Sequence, residues 1–227
     1  MHKLKPFTII VTLCLAACGG GSKGSSTPST PTSPTPPATA ANRPPVINSI
    51  NFSPAFGIMG LTSFSWDASA SDPDGDPIAY SWDIAGNPHT GATGTVSFSN
   101  GGDGLARLTV TDSRGATATD TRSFVVGDMT GTWVVTSGIL SGASFQLLQS
   151  SLGTVIGSFI LPGLGSGNTD PAQPGHITAG AVLSMRVKLA PFTDFNMTGT
   201  MDATGRRVNG NLQGSGFTGE SFTLTKQ

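Results

Sequence analysis

Residues 72–83 read Asp72-Pro73-Asp74-Gly75-Asp76-Pro77-Ile78-Ala79-Tyr80-Ser81-Trp82-Asp83. The first half is a turn: Asp tolerates tight local geometry by bonding its own backbone, and Gly and Pro break regular structure. The second half alternates, which places Tyr80 and Trp82 on one face of a strand, where both can fill a core. Working outward, further strand-like runs are Val46 to Phe52, Leu61 to Ala68, Thr95 to Phe98, Leu105 to Thr111 and Ala116 to Val126. Turn residues separate them at Ser53-Pro54, Gly86-Asn87-Pro88, Asn100-Gly101-Gly102 and Ser113-Arg114-Gly115. Short strands at this spacing predict a β-sandwich over residues 46–127.

Three segments in that order resemble a PKD domain: Asp72 to Asp76, Tyr80-Ser81-Trp82-Asp83, and Leu108-Thr109-Val110-Thr111-Asp112-Ser113-Arg114-Gly115. The resemblance implies an Ig-like sandwich that acts as a spacer or as a protein or carbohydrate contact module. The family's usual Trp-Asp-Phe-Gly-Asp-Gly run reads Trp82-Asp83-Ile84-Ala85-Gly86-Asn87 here, so its second Asp is missing. Asp72, Asp74 and Asp76 have the alternating spacing that can aim three carboxylates at one calcium ion, a cation that takes clustered oxygens. The competing reading is an Asx turn with no ion, because the chain passes into a strand at Ile78-Ala79 where an EF-hand loop would supply its Glu.

Residues 128–227 have a different texture. Eight alternating segments follow one another: Thr132 to Ile139, Ser144 to Gln149, Thr154 to Leu161, His176 to Ala181, Val182 to Leu189, Asp194 to Asp202, Arg207 to Gln213 and Gly219 to Thr225. In Phe195 to Met201 the apolar and polar residues alternate without a break. Such a meander predicts a small antiparallel up-and-down β-barrel, whose closure removes its two edges; a second sandwich is the alternative. Gly131-Thr132-Trp133 resembles the corresponding motif of lipocalin-like barrels. There the Trp plugs one end beneath a basic residue of the last strand, a place open to Lys226. Pro162 to Gly175 is expected to be a long end loop. Phe192, Phe195, Met197, Met201, Phe217 and Phe222 either line a ligand cavity or form the core, and a domain this small needs most of its apolar side chains for packing.

The N-terminus reads as a signal sequence, with Lys3 and Lys5 before the apolar run Phe7 to Leu15. That run is too short to span a bilayer, which takes about 20 apolar residues. Leu15-Ala16-Ala17-Cys18 resembles the lipobox of bacterial lipoproteins. The resemblance implies removal of a signal peptide, residues 1–17, and lipid on the Cys18 sulfur. Gly19 is not the Asp that retains such proteins at an inner membrane, so the expected place is the cell envelope, at the outer membrane. Residues 18–45 are Gly, Ser, Thr, Pro and Ala with little to bury, and are expected to be a disordered stalk.

Composition narrows the chemistry. Both cysteines, Cys14 and Cys18, lie in the leader region, so no disulfide or thiol site is available to the folded part. The chain has 12 basic and 13 acidic residues with no basic patch, which argues against nucleic acid. A single Glu, Glu220, makes a poor acid–base inventory for glycoside hydrolysis. His89 falls in a Pro-Gly loop and His176 opens a strand, neither with a second ligand at metal spacing. No catalytic residue is assigned. The expected role is a non-catalytic structural or contact module facing an envelope protein or glycan. The alternative is a carrier of a small apolar ligand in the C-terminal barrel.

Overall fold

A computed structural model describes residues 40–188 and 193–227. The expected signal peptide, Cys18 and almost all of the expected stalk lie outside the described residues. Residues 41–227 form one compact unit, built among the described residues from strands alone. Its first part contains β1 (Val46–Ser53), β2 (Phe56–Ile58), β3 (Ser63–Ser71), β4 (Ile78–Ile84), β5 (Asn87–Thr90), β6 (Thr93–Ser97), β7 (Gly102–Asp112) and β8 (Thr117–Gly127). Two sheets stack, one in the order β1-β3-β6 and the other in the order β2-β8-β7-β4-β5. Alternation delivers the core between them. Phe52, Phe64 and Trp66 come from the first sheet and Trp82, Leu108, Val110 and Phe124 from the second, all buried. Trp66 and Trp82 face each other with ring centroids 6.1 Å apart. The Tyr80 hydroxyl crosses between the sheets and accepts the Ala70 amide at 2.9 Å.

The second part contains β9 (Gly131–Gly138), β10 (Ser144–Gln149), β11 (Thr154–Leu161), β12 (Gly165–Asn168), β13 (Gly175–Ile177), β14 (Val182–Val187), β15 (Phe195–Met201), β16 (Arg207–Gly214) and β17 (Phe217–Lys226). Every pairing among them is antiparallel, and β17 returns to β9. Eight strands therefore close into an up-and-down barrel, with β12 laid beside the upper half of β11. β11 divides its far edge: Thr154 and Val155 pair with β13, while Ser158 to Leu161 pair with β12. The stretch expected as a free end loop thus holds a strand, and the Thr169 hydroxyl anchors it by accepting the Gly157 amide at 2.8 Å.

Two further elements differ from expectation. β2 is only three residues long, too brief to alternate, and its partner is the parallel β8. β5 includes Pro88 where a turn was read. Pro has no amide to donate, and β5 is an edge strand where none is needed.

The barrel interior is filled by its own side chains. Trp133, Phe145, Phe159, Met185, Met197 and Phe222 belong to one continuous buried cluster. Burying each such side chain is worth about 1.5–3 kcal/mol. Phe195, Met201 and Phe217, read as cavity or core, also belong to or pack against this cluster, and Phe192 lies outside the described residues. Ile58, from the sandwich strand β2, is buried in this cluster too. Gln149 fastens the junction. Its Oε1 accepts the Met129 amide at 2.9 Å, and its Nε2 donates to the Met59 carbonyl at 3.1 Å.

Candidate functional site

The β3–β4 loop and the β7–β8 turn are built on one local plan. Asp72 Oδ1 accepts the amides of Asp74 and Asp76 at 2.8 and 3.0 Å. Asp112 Oδ1 accepts those of Arg114 and Ala116 at 2.8 and 2.9 Å. In each, the fourth residue is a glycine with positive φ, 79° for Gly75 and 89° for Gly115, a conformation that costs glycine least. Ile78 pairs with Asp112 across β4 and β7, so both turns lie at the same end of the sandwich.

This places Asp72, Asp74 and Asp76 together, one carboxylate oxygen of each lying within 4.8 Å of the others. Two arginines distant in sequence reach them. Arg43 donates to Asp74 through its backbone amide at 2.8 Å and through Nε at 2.7 Å, and Arg114 Nε lies 3.2 Å from Asp76. The Arg43 amide and guanidinium hold the Asp74 carboxyl below the usual carboxylate value. Burial pushes Asp112 up, but the Asn42 side chain and the Ala116 and Arg114 amides outweigh it, and the net direction is down. Two acceptor oxygens in this cluster are buried without a donor, Asp72 Oδ2 and Asn42 Oδ1, while Asp76 Oδ2 meets only the Arg114 guanidinium, at 3.2 Å. Oxygens left over in this way are the donor type a hard cation takes. Asp74 and Asp112 differ, since both oxygens of each already accept hydrogen bonds. Sequence reasoning missed Asn42 and Arg43, which act over 70 and 31 residues and leave no local signal.

His89 is half-buried and lies on a strand, not in a loop. It sits on β5 opposite Trp82, its ring 5.0 Å from that of Trp66, with Nε2 buried and unbonded. It borders a surface cleft of about 510 Å³ whose lining includes Phe98, Asn87, Asn100 and Asp103. His176 is exposed on β13. The Glu220 carboxylate accepts the Thr218 amide at 2.7 Å, and backbone donors lower its pKa.

At the barrel mouth, Trp133 is buried and donates from Nε1 to the Met129 carbonyl at 2.8 Å. Lys226 Nζ stands 5.7 Å from the Trp133 ring centroid, donates to the Asp128 carbonyl at 2.9 Å and lies 3.6 Å from the Asp128 carboxylate. A basic side chain of the last strand thus covers the Trp.

These features define an all-β protein: an Ig-like sandwich with an acidic turn cluster, joined to a closed eight-strand barrel. Residues 42–126 match the family model described as PKD domain, and through them the chain belongs to that family. Two solved structures are similar to this segment. The PKD1 domain of Vibrio anguillarum Epp is 31% identical over 38% of this chain and 96% of its own, with a TM-score of 0.30. The PKD1 domain of the Vibrio cholerae metalloprotease PrtV is 30% identical over 37% of this chain and 98% of its own, with a TM-score of 0.31. A structure of carbohydrate-binding modules from the β-sandwich superfamily is 15% identical over 83% of this chain and 93% of its own, with a TM-score of 0.36, a likeness too slight to bear on function. No curated protein matches the chain.

Proposed function

We propose that this chain is an exported envelope lipoprotein, acylated on Cys18 after loss of residues 1–17 and held at the outer membrane. Its sandwich and barrel serve as a non-catalytic module that contacts an envelope protein or glycan. The observation that carries this reading over a ligand carrier is the filled barrel. Its inward side chains form one continuous buried cluster, and the clefts beside Phe98, Leu105, Gly205 and Arg186 lie outside that cluster. The cleft beside Phe98 offers instead an aromatic surface rimmed by Asn and Asp side chains, chemistry that suits a sugar ring or a peptide. Native mass spectrometry of the full chain, extracted gently from its membrane, tests the reading. Acyl chains on Cys18 and no further mass are expected. A retained small-molecule passenger overturns it in favour of the carrier.

A second reading concerns the acidic cluster. The orphaned oxygens of Asn42 and Asp72 support calcium binding there, with Asp76 and Asp74 joining if Arg114 and Arg43 swing aside. A ligand that binds only the folded state at a hundred times its Kd stabilises it by about 2.7 kcal/mol. Calcium should therefore raise the melting temperature of the native chain, and Asp76→Asn should abolish the rise. An unchanged melting temperature in millimolar calcium refutes this reading.

A further inference from the structure

On most of the barrel the outward residues are polar, such as Asn196, Thr198 and Thr200 on β15 and Asn209, Asn211 and Gln213 on β16. The β10–β11 hairpin breaks this rule. Phe145, Leu147, Val155, Phe159 and Leu161 face the core as expected, yet the outward positions also carry large aliphatics. Leu148 is 61% exposed and pairs directly with Ile156, which is 44% exposed. Ile160 is 60% exposed further along β11, and Leu152 is 77% exposed in the connecting turn. Leu164, in the turn after β11, is exposed as well. At about 3.3 Å per residue the stripe runs roughly 20 Å along the hairpin.

The same region carries no charge. From Met129 to Thr169 there is no Asp, Glu, Lys, Arg or His. Apart from Asp128 at the junction, the charged side chains of residues 128–227 all lie from Asp170 onward. This face can be dehydrated without stripping an ion, which is the costliest part of burying a protein surface.

We propose that the outer face of the β10–β11 hairpin rests on the bilayer that carries the lipid anchor. This rests on the acylation of Cys18 proposed above. A face two strands wide buries a few hundred Å², short of the roughly 800 Å² per partner that a stable soluble pair needs. A bilayer places no such demand, because the anchor already holds it at high effective concentration. About 22 residues separate Cys18 from Ala40, a contour of roughly 70 Å at about 3.1 Å per residue. That length lets the folded unit lie back on the surface from which it hangs. With no cation on the face, the contact is to the acyl–headgroup boundary and not to lipid phosphate.

The test uses the full acylated chain in vesicles of phosphatidylethanolamine and phosphatidylglycerol in equal parts. Once Cys18 is acylated, Ser158→Cys supplies the only free thiol, centred on the hairpin face, and Asn211→Cys supplies one on the polar face as control. Each carries a fluorophore quenched by doxyl-labelled lipid. Quenching several-fold stronger at 158 than at 211 is expected. It should fall to the control level when Leu148, Ile156 and Ile160 are replaced by Ser, with Trp fluorescence confirming that this variant folds. Equal quenching at the two sites, with acyl chains present by intact mass, overturns the hairpin contact alone. Shielding of 158 that follows protein density and persists in detergent points to a second copy and also overturns it. Absence of acyl chains overturns the anchoring reading, and this proposal with it.

Discussion

Gln149→Leu tests how tightly the two cores are joined. Gln149 is buried at the inward end of β10, and its amide is the sole partner described for the Met129 N–H and the Met59 carbonyl on either side of the junction. Leu keeps most of the volume but leaves both groups without a partner in a dry site. Each orphaned buried group costs about 1–3 kcal/mol, and the apolar gain from Leu returns about 1 kcal/mol. The net loss is about 1–5 kcal/mol. For a unit of this size that corresponds to a fall in melting temperature of roughly 2–20 °C. Urea denaturation followed by tryptophan fluorescence reads both parts, because Trp66 and Trp82 report on the sandwich and Trp133 on the barrel. Gln146→Leu is the control. Gln146 lies three residues away and so faces outward, bonded to Thr132 Oγ1 at the surface, and its replacement should cost less than about 0.5 kcal/mol. Equal midpoints for the two variants would refute the bridging role of Gln149.

Three further outcomes follow from the packing and charges. Gly94→Ala should destabilise the chain by about 1–3 kcal/mol in the same urea assay, because a Cβ there overlaps the Trp66 indole, which has no room to retreat. Lys226→Met should cost about 1 kcal/mol through loss of the contact over Trp133 and of the bond to the Asp128 carbonyl, and the Trp133 emission should shift. The lowered carboxyls of Asp74 and Asp112 predict that stability is full above the ordinary value of 3.8 and falls as pH drops below it, read as urea midpoints without divalent ions. Arg43→Gln should flatten only part of that fall, since it removes the guanidinium but keeps the backbone amide that lowers Asp74 most.

The sequence showed most of the fold because most strands obey one rule. Phe195, Met197 and Met201 alternate with Asn196, Thr198 and Thr200, and the structure buries the first set and exposes the second. Closure by β17 against β9 was readable from Trp133 and Lys226, which the structure pairs. Failures came where length or position removed the signal. β2 is too short to alternate, and β5 is an edge strand that tolerates Pro88. The acidic triad was visible, but its partners Asn42 and Arg43 depend on tertiary contact. Gln149 did leave a trace: it shares the inward register of Phe145 and Leu147, where a polar residue signals a buried hydrogen-bond duty. Leu148, Ile156 and Ile160 left the opposite trace, apolar where the register points outward.

The membership of Ile58 in the barrel cluster bears on how such a chain can be assembled by recombination. A family boundary at residue 126 suggests a cut after β8, with either half transplantable into another gene. The packing forbids a clean cut there. Removing the first 127 residues would open a hole where Ile58 sat and strip Phe56 and Leu61 from the barrel surface. The transplanted sandwich would in turn present those residues to water. This barrel is inherited together with its sandwich, or it needs a substitute plug in the same place.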